Sequence, residues 1–456
     1  MTRAMGAAMR RIQAGNALSA FGLGFTVPYL YVYVAQVRDL GASTAGAVLA
    51  VFAMAALLVL PFTGRAIDRR GPLPVLVGSA VLASVGAFLM GLAGNVPAVV
   101  VSAALLGAGT AVLQPALGTL IVWCSTPTTR TRAFATQFFL ANLGLGVGGL
   151  IGGQIVDESR PGSFTLLFSV EAVMFLVLAG VAVTIRLPRP AALTTGLDLP
   201  QDTLVRSGGG LRALLGHRAM VQLCVLGFVL FFACYGQFES GLAAYGTEAA
   251  GIDPATLGMA LAANTAMIVI AQFAVLRLVE RRRRSRVIAA VGLIWTVAWL
   301  VAGYAGLGHG SETMATAAFI STYALFGLGE SLLSPTVAPL VADLAPPSMI
   351  GQYNSVFALV KQLALAVGPA VGGPMGAALP GPYIVTFVLF SLGVSVLALR
   401  LGKQLTPVQD RPALLPASRV VVQHKPGESE ESDVPEPSEP SEPSEPSDVS
   451  ERKSVG

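Results

Sequence analysis

Residues 107–115 read GAGTAVLQP, and residues 327–335, which lie 220 positions further on, read GLGESLLSP. Both stretches have Gly, Gly, Leu and Pro at the same places. The same shift superimposes three further glycines, Gly148, Gly152 and Gly153, on Gly368, Gly372 and Gly373. Because the surrounding sequence consists largely of Ala, Val and Leu, seven identities at one offset are not expected by chance. They predict that the chain consists of two similar halves.

The composition places these halves in a lipid bilayer. Hydrophobic residues make up 54% of the chain and charged residues 12%, and the mean hydropathy is +0.70, so there is too little polar surface to cover a soluble protein. About 20 helical residues cross a hydrocarbon core of about 30 Å, whereas a barrel strand needs only about 10. Twelve apolar runs approach the helical length and predict an all-α integral membrane protein with spans at 15–37, 44–62, 73–94, 97–123, 132–155, 163–186, 219–243, 255–277, 287–306, 314–340, 352–375 and 382–401.

Basic residues are distributed unevenly between alternate connections. With the N-terminus in the cytoplasm, the cytoplasmic side holds the basic residues of the amino tail, of 65–70, of 130–132, of 186–218 and of 277–286, whereas the opposite side holds Arg38 and Arg160. This asymmetry predicts a multi-pass protein of the plasma or inner membrane with both termini cytoplasmic. The first span is long and lacks a small-residue cleavage site, so it is predicted to be a retained helix and not a signal peptide.

Two segments lie outside the predicted spans. Residues 187–218 separate an N-terminal half, 1–186, from a C-terminal half, 219–401, and predict a cytoplasmic linker with a short amphipathic helix. Residues 402–456 form a cytoplasmic tail whose PEPSEPSEPSEPSD composition cannot offset the entropy of ordering, so disorder is predicted from about residue 426. With ten acidic and two basic residues from 426 on, the tail is either a solvated extension or a segment that contacts the basic cytoplasmic face.

The sequence contains no enzyme or metal signature. Cys124, Cys224 and Cys234 lie in or beside spans without metal-ligand spacing, and the three His residues are scattered among polar connections. A phosphate-binding loop and a nucleophile elbow are both absent, so no catalytic activity, cofactor or metal is expected. The run RRRR at 281–284 is better explained by attraction to anionic lipid than by binding to nucleic acid.

The loop between spans two and three contains the most specific motif. Residues 64–71 read GRAIDRRG and resemble the G-x-L-x-D-R-x-G-R-K loop of the major facilitator superfamily. Together with twelve spans, two halves and a central linker, this resemblance covers nearly all of residues 10–401. It implies the major facilitator fold, a monomer, and a cytoplasmic gate formed by Gly64, Asp68, Arg69 and Gly71.

Physically, Asp68 beside a helix end can receive charge-assisted hydrogen bonds from a basic partner. Pro72 and Leu73 replace the usual basic pair of the motif, which changes part of its charge network. The alternative is a loop whose basic residues serve orientation alone.

Span five contains glycines that resemble a signature of antiporter members of this superfamily, G-x-x-x-G-P-x-x-G-G. They are Gly144, Gly148, Gly149, Gly152 and Gly153, with Gly149 in the place of the Pro. The second half keeps that Pro in Gly368, Pro369, Gly372 and Gly373. Small residues at these spacings permit close helix packing and suit an interface between moving halves, with generic tight packing as the alternative.

Charged residues inside spans are the candidates for proton coupling, because their burial in lipid is costly. Glu330 lies about 20 Å along span ten from Asp343 at the helical rise of 1.5 Å per residue. Lys361 is at a similar depth in span eleven, so the two form either a static ion pair or one that breaks on protonation. Glu239, near the outer end of span seven, is either a proton or cation site or a solvated helix end. Glu171 in span six is expected to be neutral or locally hydrogen-bonded.

Further polar residues are candidates for the lining of a mostly apolar substrate cavity, although each alone is more often an interhelical hydrogen-bonding group. They are Tyr31, Gln114, Asn142, Tyr235, Gln237, Asn264 and Gln362.

Two similar membrane halves are typical of secondary transporters. The sequence and the resemblance together favour an exporter of small amphipathic or hydrophobic molecules, of the multidrug efflux type, that works by proton antiport and alternating access. Its partners would be a small-molecule substrate, protons and the lipid bilayer, with the proton gradient as energy source. The alternatives are a proton-coupled or facilitative importer of a metabolite and a non-transporting membrane receptor or scaffold.

Overall fold

The structure, a computed structural model, describes residues 3–26, 29–157, 160–185, 210–238, 240–280, 282–306 and 311–411. Every regular element in these ranges is helical. In chain order the helices are α1 (Arg3–Thr26), α2 (Leu30–Val32, followed by a π-helical turn, Tyr33–Val37), α3 (Ala42–Arg70), α4 (Pro72–Leu92), α5 (Val96–Trp123), α6 (Pro127–Ile155), α7 (Pro161–Val183), α8 (Gly210–Gly216), α9 (Arg218–Ala233), α10 (Gly241–Ala244, followed by a π-helical turn, Tyr245–Ala249), α11 (Pro254–Val279), α12 (Arg284–Ala305), α13 (Glu312–Leu344), α14 (Ile350–Ala378), α15 (Pro380–Gly402) and α16 (Pro407–Asp410).

Each of the twelve predicted spans coincides with helical structure. Within the described ranges nine helices, α3 to α7 and α12 to α15, are long and apolar enough to cross a bilayer, and the bent pair of α1 and α2 makes a tenth if it counts as one span. The other two predicted spans fall on the shorter apolar segments Arg218–Ala233 and Thr256–Gln272. The all-α membrane fold is therefore confirmed. Most of the linker, 186–209, and the tail from 412 on lie outside the described residues, so their organisation stays a prediction.

Spans one and seven are each interrupted, whereas the sequence predicts two continuous spans at 15–37 and 219–243. α1 ends at Thr26 and α9 ends at Ala233, and each span resumes as a short helix with a π-helical turn. In both turns the first residue is a buried tyrosine: the Tyr33 hydroxyl donates to the Met90 carbonyl at 2.9 Å, and the Tyr245 hydroxyl donates to the Ala302 carbonyl at 3.1 Å. These hydroxyls donate to carbonyls in the last turns of α4 and α12, where carbonyl groups run short of donors within the helix.

The two tyrosine contacts show that the duplication extends beyond the repeated glycine blocks. Tyr33 and Met90 are related to Tyr245 and Ala302 by a shift of 212, whereas the glycine blocks are related by 220. Eight extra residues therefore lie in the second half between α12 and the block in α13. An insertion at this place hides the relation between spans one to three and spans seven to nine from a search at one offset.

The two halves have differently built interiors, and both present apolar side chains outward. In the second half Trp299 stacks on Phe387 with ring centroids 4.9 Å apart and meets Phe326 edge-on at 5.3 Å, whereas α4 and α5 are packed with Ala, Leu and Gly. Leu150 and Ile270 are 75% and 74% exposed. Side chains of this kind on the outside of the bundle fit a surface that contacts lipid, where helices associate through close packing.

The glycine face of α6 packs within its own half. A Cβ on Gly144 would collide with the carbonyl oxygen of Ala17 in α1, and one on Gly148 would collide with that of Phe21. Gly368 in α14 approaches the Gly236 backbone in the same way. Of the two interpretations of these glycines, these contacts favour tight packing within a half: the glycines allow close approach of α1 to α6 and of span seven to α14. Gly149 has ordinary van der Waals space, and nothing lies within 4 Å of a Cβ on Gly373.

Replacing Gly144 by Ala should therefore destabilise the first half by about 1–3 kcal/mol, the usual effect of an added methyl group in a packed interior. Gly149→Ala is the matched control, because its Cβ would meet the Gly24 carbonyl at 3.6 Å. Thermal unfolding of the purified proteins in detergent measures the difference. Equal unfolding midpoints for the two variants would show that α1 and α6 do not pack as described.

Candidate functional site

The repeated glycines of α13 create the space for the candidate site. A Cβ on Gly327 would collide with the Asn264 carbonyl oxygen of α11, and one on Gly329 would collide with the Trp295 indole of α12. Their counterparts in the first half, Gly107 and Gly109, meet the backbones of α3 and α4 in the same manner. Both halves thus use this glycine pair to bring three helices together, and the residue after the second glycine differs between them.

That residue is Glu330 in the second half. Its side chain is 4% exposed, and its Oε1 accepts a hydrogen bond of 2.8 Å from Asn264 Nδ2. The Tyr235 hydroxyl lies within hydrogen-bonding reach of the same carboxylate. The first-half counterpart is Thr110, whose hydroxyl donates to the Leu106 carbonyl of its own helix at 2.8 Å. An ionisable group therefore occupies this place in the second half and a locally satisfied hydroxyl in the first.

Lys361 does not form the predicted ion pair with Glu330. Among the described side chains no ion pair within 4.0 Å joins the two. The Lys361 ammonium lies over the Phe231 ring at 5.1 Å from its centroid, a cation–π contact worth about 0.5–2 kcal/mol. The described conformation therefore has no static pair between them, and the half-buried Lys361 and the carboxyl of Glu330 are available separately.

Gln237 is a structural residue, contrary to the expectation that it lines the cavity. It is fully buried, and its Nε2 donates to the Phe232 carbonyl at 3.0 Å, where the break in span seven leaves that carbonyl without its helical donor. Its Oε1 accepts a hydrogen bond from the Tyr383 hydroxyl at 3.2 Å. Gln237 thus joins the broken span to α15. The neighbouring candidate Glu239 lies outside the described residues.

The remaining cavity candidates lie in different settings. Asn264 is 8% exposed and is a partner of Glu330, not a free lining group. Asn142 is half-buried and donates to the Phe138 carbonyl of its own helix at 2.9 Å. Tyr31 is 43% exposed. Gln114 is exposed, and Tyr235 and Gln362 are half-buried.

At one end of the bundle, where α1 begins, the two halves are joined by polar contacts; we call this the basic end. Asp68, near the end of α3, accepts hydrogen bonds from the backbone N–H groups of Gly351 (2.7 Å) and Gln352 (3.1 Å) and from the Gln352 side chain (3.1 Å). A Cβ on Gly64 would collide with the Gln352 backbone, and Gly71 has a φ of 87°, which favours glycine. Gly64 and Asp68 of the motif therefore contact the first turn of α14 in the other half, and their role as a gate stays a prediction.

The partners of Asp68 differ from those predicted. We had expected a basic side chain, whereas the donors are the first turn of α14 and an amide. Unpaired N–H groups and the positive end of the helix dipole make a helix N-terminus a favourable place for a carboxylate. Arg69 is exposed at the end of α3.

A second contact across the halves is related to the first by the duplication. The shift of 212 carries Asp68 onto Glu280 at the end of α11, and the shift of 220 carries Arg132 onto Gln352. Arg132 Nε donates to Glu280 Oε1 at 3.2 Å. The side chains of Arg132 and Glu280 are 68% and 33% exposed, so this pair is more accessible to solvent than the Asp68 contact.

A third contact connects the halves through Asp343, at the end of α13. One carboxylate oxygen accepts from Arg130 of α6 in the first half, and the other accepts from Arg284 Nη1 of α12 at 2.6 Å. From the sequence these arginines indicate orientation alone, because nothing local shows that residues 213 positions apart meet. An arginine in the first turn of a span, as at Arg130 and Arg284, is the sequence signal that could have indicated this contact.

Comparisons with known proteins agree with this architecture. The profile of the Major Facilitator Superfamily matches residues 14–369 and 244–425. The uncharacterised transporter YttB of Bacillus subtilis strain 168 is 24% identical over 80% of this chain and 87% of its own length. The quinolone resistance protein NorA of Staphylococcus aureus strain MRSA252 is 22% identical over 82% of this chain and 90% of its own. The solved structure of FucP in its outward conformation superimposes with a TM-score of 0.71 at 16% identity, over 88% of this chain and 99% of FucP.

Proposed function

The chain belongs to the Major Facilitator Superfamily of membrane transporters, and we propose that it exports small amphipathic molecules in exchange for protons. Glu330 carries the proposal: it is a buried carboxyl in the middle of the longest helix described, it has an amide partner, and it forms no ion pair with any side chain that the structure describes. A carboxyl in lipid-embedded protein is costly when charged, so residues of this kind mark ion pathways and proton relays. The likeness to NorA, which is named for quinolone resistance, supports efflux over uptake.

Alternating access accounts for the contacts at the basic end. The excess of Arg on this end favours its placement in the cytoplasm, and the polar contacts between the halves close the protein at this end. To face inward, the protein has to break the contacts of Asp68, Glu280 and Asp343 across the halves. Each of these contacts joins one half to the other, so they separate together when the halves rock.

Proton exchange at Glu330 couples to this motion. When Glu330 is neutral, its carboxyl donates or accepts a hydrogen bond beside Asn264 and Tyr235 without an uncompensated buried charge. When it loses the proton, the carboxylate attracts Lys361, which is held by Phe231 in the described conformation. The substrate and the Glu330 carboxylate then compete for the Lys361 ammonium. This competition links proton release to substrate binding.

The surroundings of Glu330 favour an amphipathic substrate. Tyr235 lies 5.1 Å from Phe231 and 5.8 Å from Phe238 between ring centroids, so a wall of aromatic rings leads from Lys361 toward Glu330. Aromatic rings bind flat apolar molecules, and a few polar groups orient them. An ammonium beside this wall favours a substrate that carries a carboxylate over a purely cationic one.

Transport in everted membrane vesicles tests the proposal. With an acidic lumen, vesicles that contain the protein should accumulate a fluorescent fluoroquinolone, whose carboxylate suits Lys361, and a protonophore should abolish the accumulation. Ethidium, a cation without a carboxylate, should be transported less. Vesicles prepared without the protein are the control. Accumulation in right-side-out vesicles that rises with inward proton flux would instead identify a symporter, as the structurally similar fucose:proton symporter FucP is named.

A further inference from the structure

A cleft of about 340 Å³ lies at the basic end, away from Glu330. It is formed by the first turns of α6, in the first half, and by the junction of α11 with α12, in the second half. Its lining includes Thr128, Thr131, Arg132, Glu280, Arg282 and Arg284. The cleft exists only where the two halves meet, so its shape depends on the closed conformation.

The lining carries an excess of positive charge. Three guanidinium groups face one carboxylate, Glu280, which is already paired with Arg132. Arg282 is exposed and belongs to none of the ion pairs found among the described residues. Thr128 and Thr131 add hydroxyl donors, and α6 directs the positive end of its dipole to the same place.

Arg284 is part of the wall of the cleft, whereas Arg282 is the lining guanidinium group that has no ion pair among the described residues. The Arg284 side chain is 2% exposed. Its Nη1 donates to Asp343 and its Nη2 lies 3.4 Å from the Thr131 hydroxyl, yet its buried Nε has no hydrogen-bond partner. Asp343 therefore holds Arg284 in the wall of the cleft, and Arg282 is the cation that an anion in the cleft would meet.

We propose that this cleft binds a phosphate group and that the bound phosphate stabilises the closed basic end. A phosphate presents several acceptor oxygens around one centre, which matches guanidinium groups that approach from both halves together with threonine hydroxyls. A carboxylate offers two oxygens and would leave part of this donor set unused. The phosphate comes either from a lipid headgroup, since the cleft lies at the basic end where anionic headgroups collect, or from a free phosphate in solution.

Because the ligand contacts both halves, it binds the closed conformation in preference to the open one. Binding therefore shifts the conformational equilibrium toward closure by the difference in affinity between the two states. This device needs neither substrate nor a proton gradient, so it stands or falls independently of the proposed efflux activity.

Thermal unfolding of the full chain tests the site. In detergent free of phosphate, inorganic phosphate should raise the unfolding midpoint in a saturable manner, with sodium chloride at matched ionic strength as the control for screening. In lipid nanodiscs, phosphatidylglycerol should raise the midpoint more than phosphatidylcholine if the source is a lipid headgroup. Stabilisation by inorganic phosphate in detergent identifies a free phosphate as the ligand. Stabilisation by phosphatidylglycerol in nanodiscs alone identifies a lipid headgroup.

Two variants locate the effect. Arg282→Gln should weaken the apparent phosphate affinity by about tenfold, and Thr128→Val should weaken it less. Arg277→Gln, which changes a basic residue in the last turn of α11 that does not line the cleft, should leave it unchanged. The proposal is wrong if neither ligand stabilises the protein beyond the salt control, or if Arg282→Gln responds as the unaltered protein does.

Discussion

Glu330→Gln is expected to abolish accumulation driven by a pH gradient while leaving the fold intact. Glutamine has nearly the same shape as glutamate, and its carbonyl oxygen can accept the hydrogen bond that Asn264 donates at 2.8 Å. It cannot bind or release a proton. We expect the proton-driven rate in everted vesicles to fall by at least about tenfold, which corresponds to about 1.4 kcal/mol in activation free energy.

The same variant should retain substrate exchange in the absence of a gradient. Exchange of labelled for unlabelled substrate requires alternating access but no net proton movement, so it reports whether the halves still rock. Glu312→Gln is the matched control, because Glu312 is an exposed acid in the first turn of the same helix. Full gradient-driven accumulation by Glu330→Gln would remove Glu330 from the coupling mechanism.

The sequence predicted the fold because length and hydropathy fix it. A run of about 20 apolar residues has few structures open to it in lipid other than a helix, and the repeated glycines revealed the two halves. The breaks in spans one and seven could not be predicted in this way. They depend on the contacts of Tyr33 and Tyr245 with carbonyls at the ends of neighbouring helices, and hydropathy does not record hydrogen bonds between distant segments.

The sequence identifies Glu330 as a candidate but does not identify the residues that contact it. Glu330 stands out in the sequence because a charge interrupts an apolar span. Depth along a helix suggested Lys361 as its partner, but depth does not give the rotation of one helix relative to another, and Lys361 lies over Phe231 instead. Gln237 was assigned to the cavity because it is polar, whereas a polar side chain beside a break in a helix is needed to satisfy the backbone.

Asp68→Asn is expected to impair transport far more than Glu280→Gln, although the two residues occupy equivalent places in the two halves. Asp68 accepts three hydrogen bonds at the N-terminus of α14, and each hydrogen bond to a charged group contributes about 1.5–3 kcal/mol. Asparagine removes the negative charge, and its side-chain NH₂ group cannot accept a hydrogen bond from the N–H donors that Asp68 binds. Loss of even one such contact shifts the balance between closed and open states by about tenfold. The transport rate should fall accordingly.

The Glu280 contact should matter less because water already competes for it. Its partner Arg132 is 68% exposed in its side chain, and exposed ion pairs contribute about 0–1 kcal/mol. Spin labels at Arg70 and Arg286, exposed residues at the basic end in opposite halves, measure the closed fraction directly. Asp68→Asn should lengthen the distance between them, and Glu280→Gln should change it little. If both variants open the basic end equally, the Asp68 and Glu280 contacts are equally strong. The difference in their burial would then not determine how much each contributes to closure.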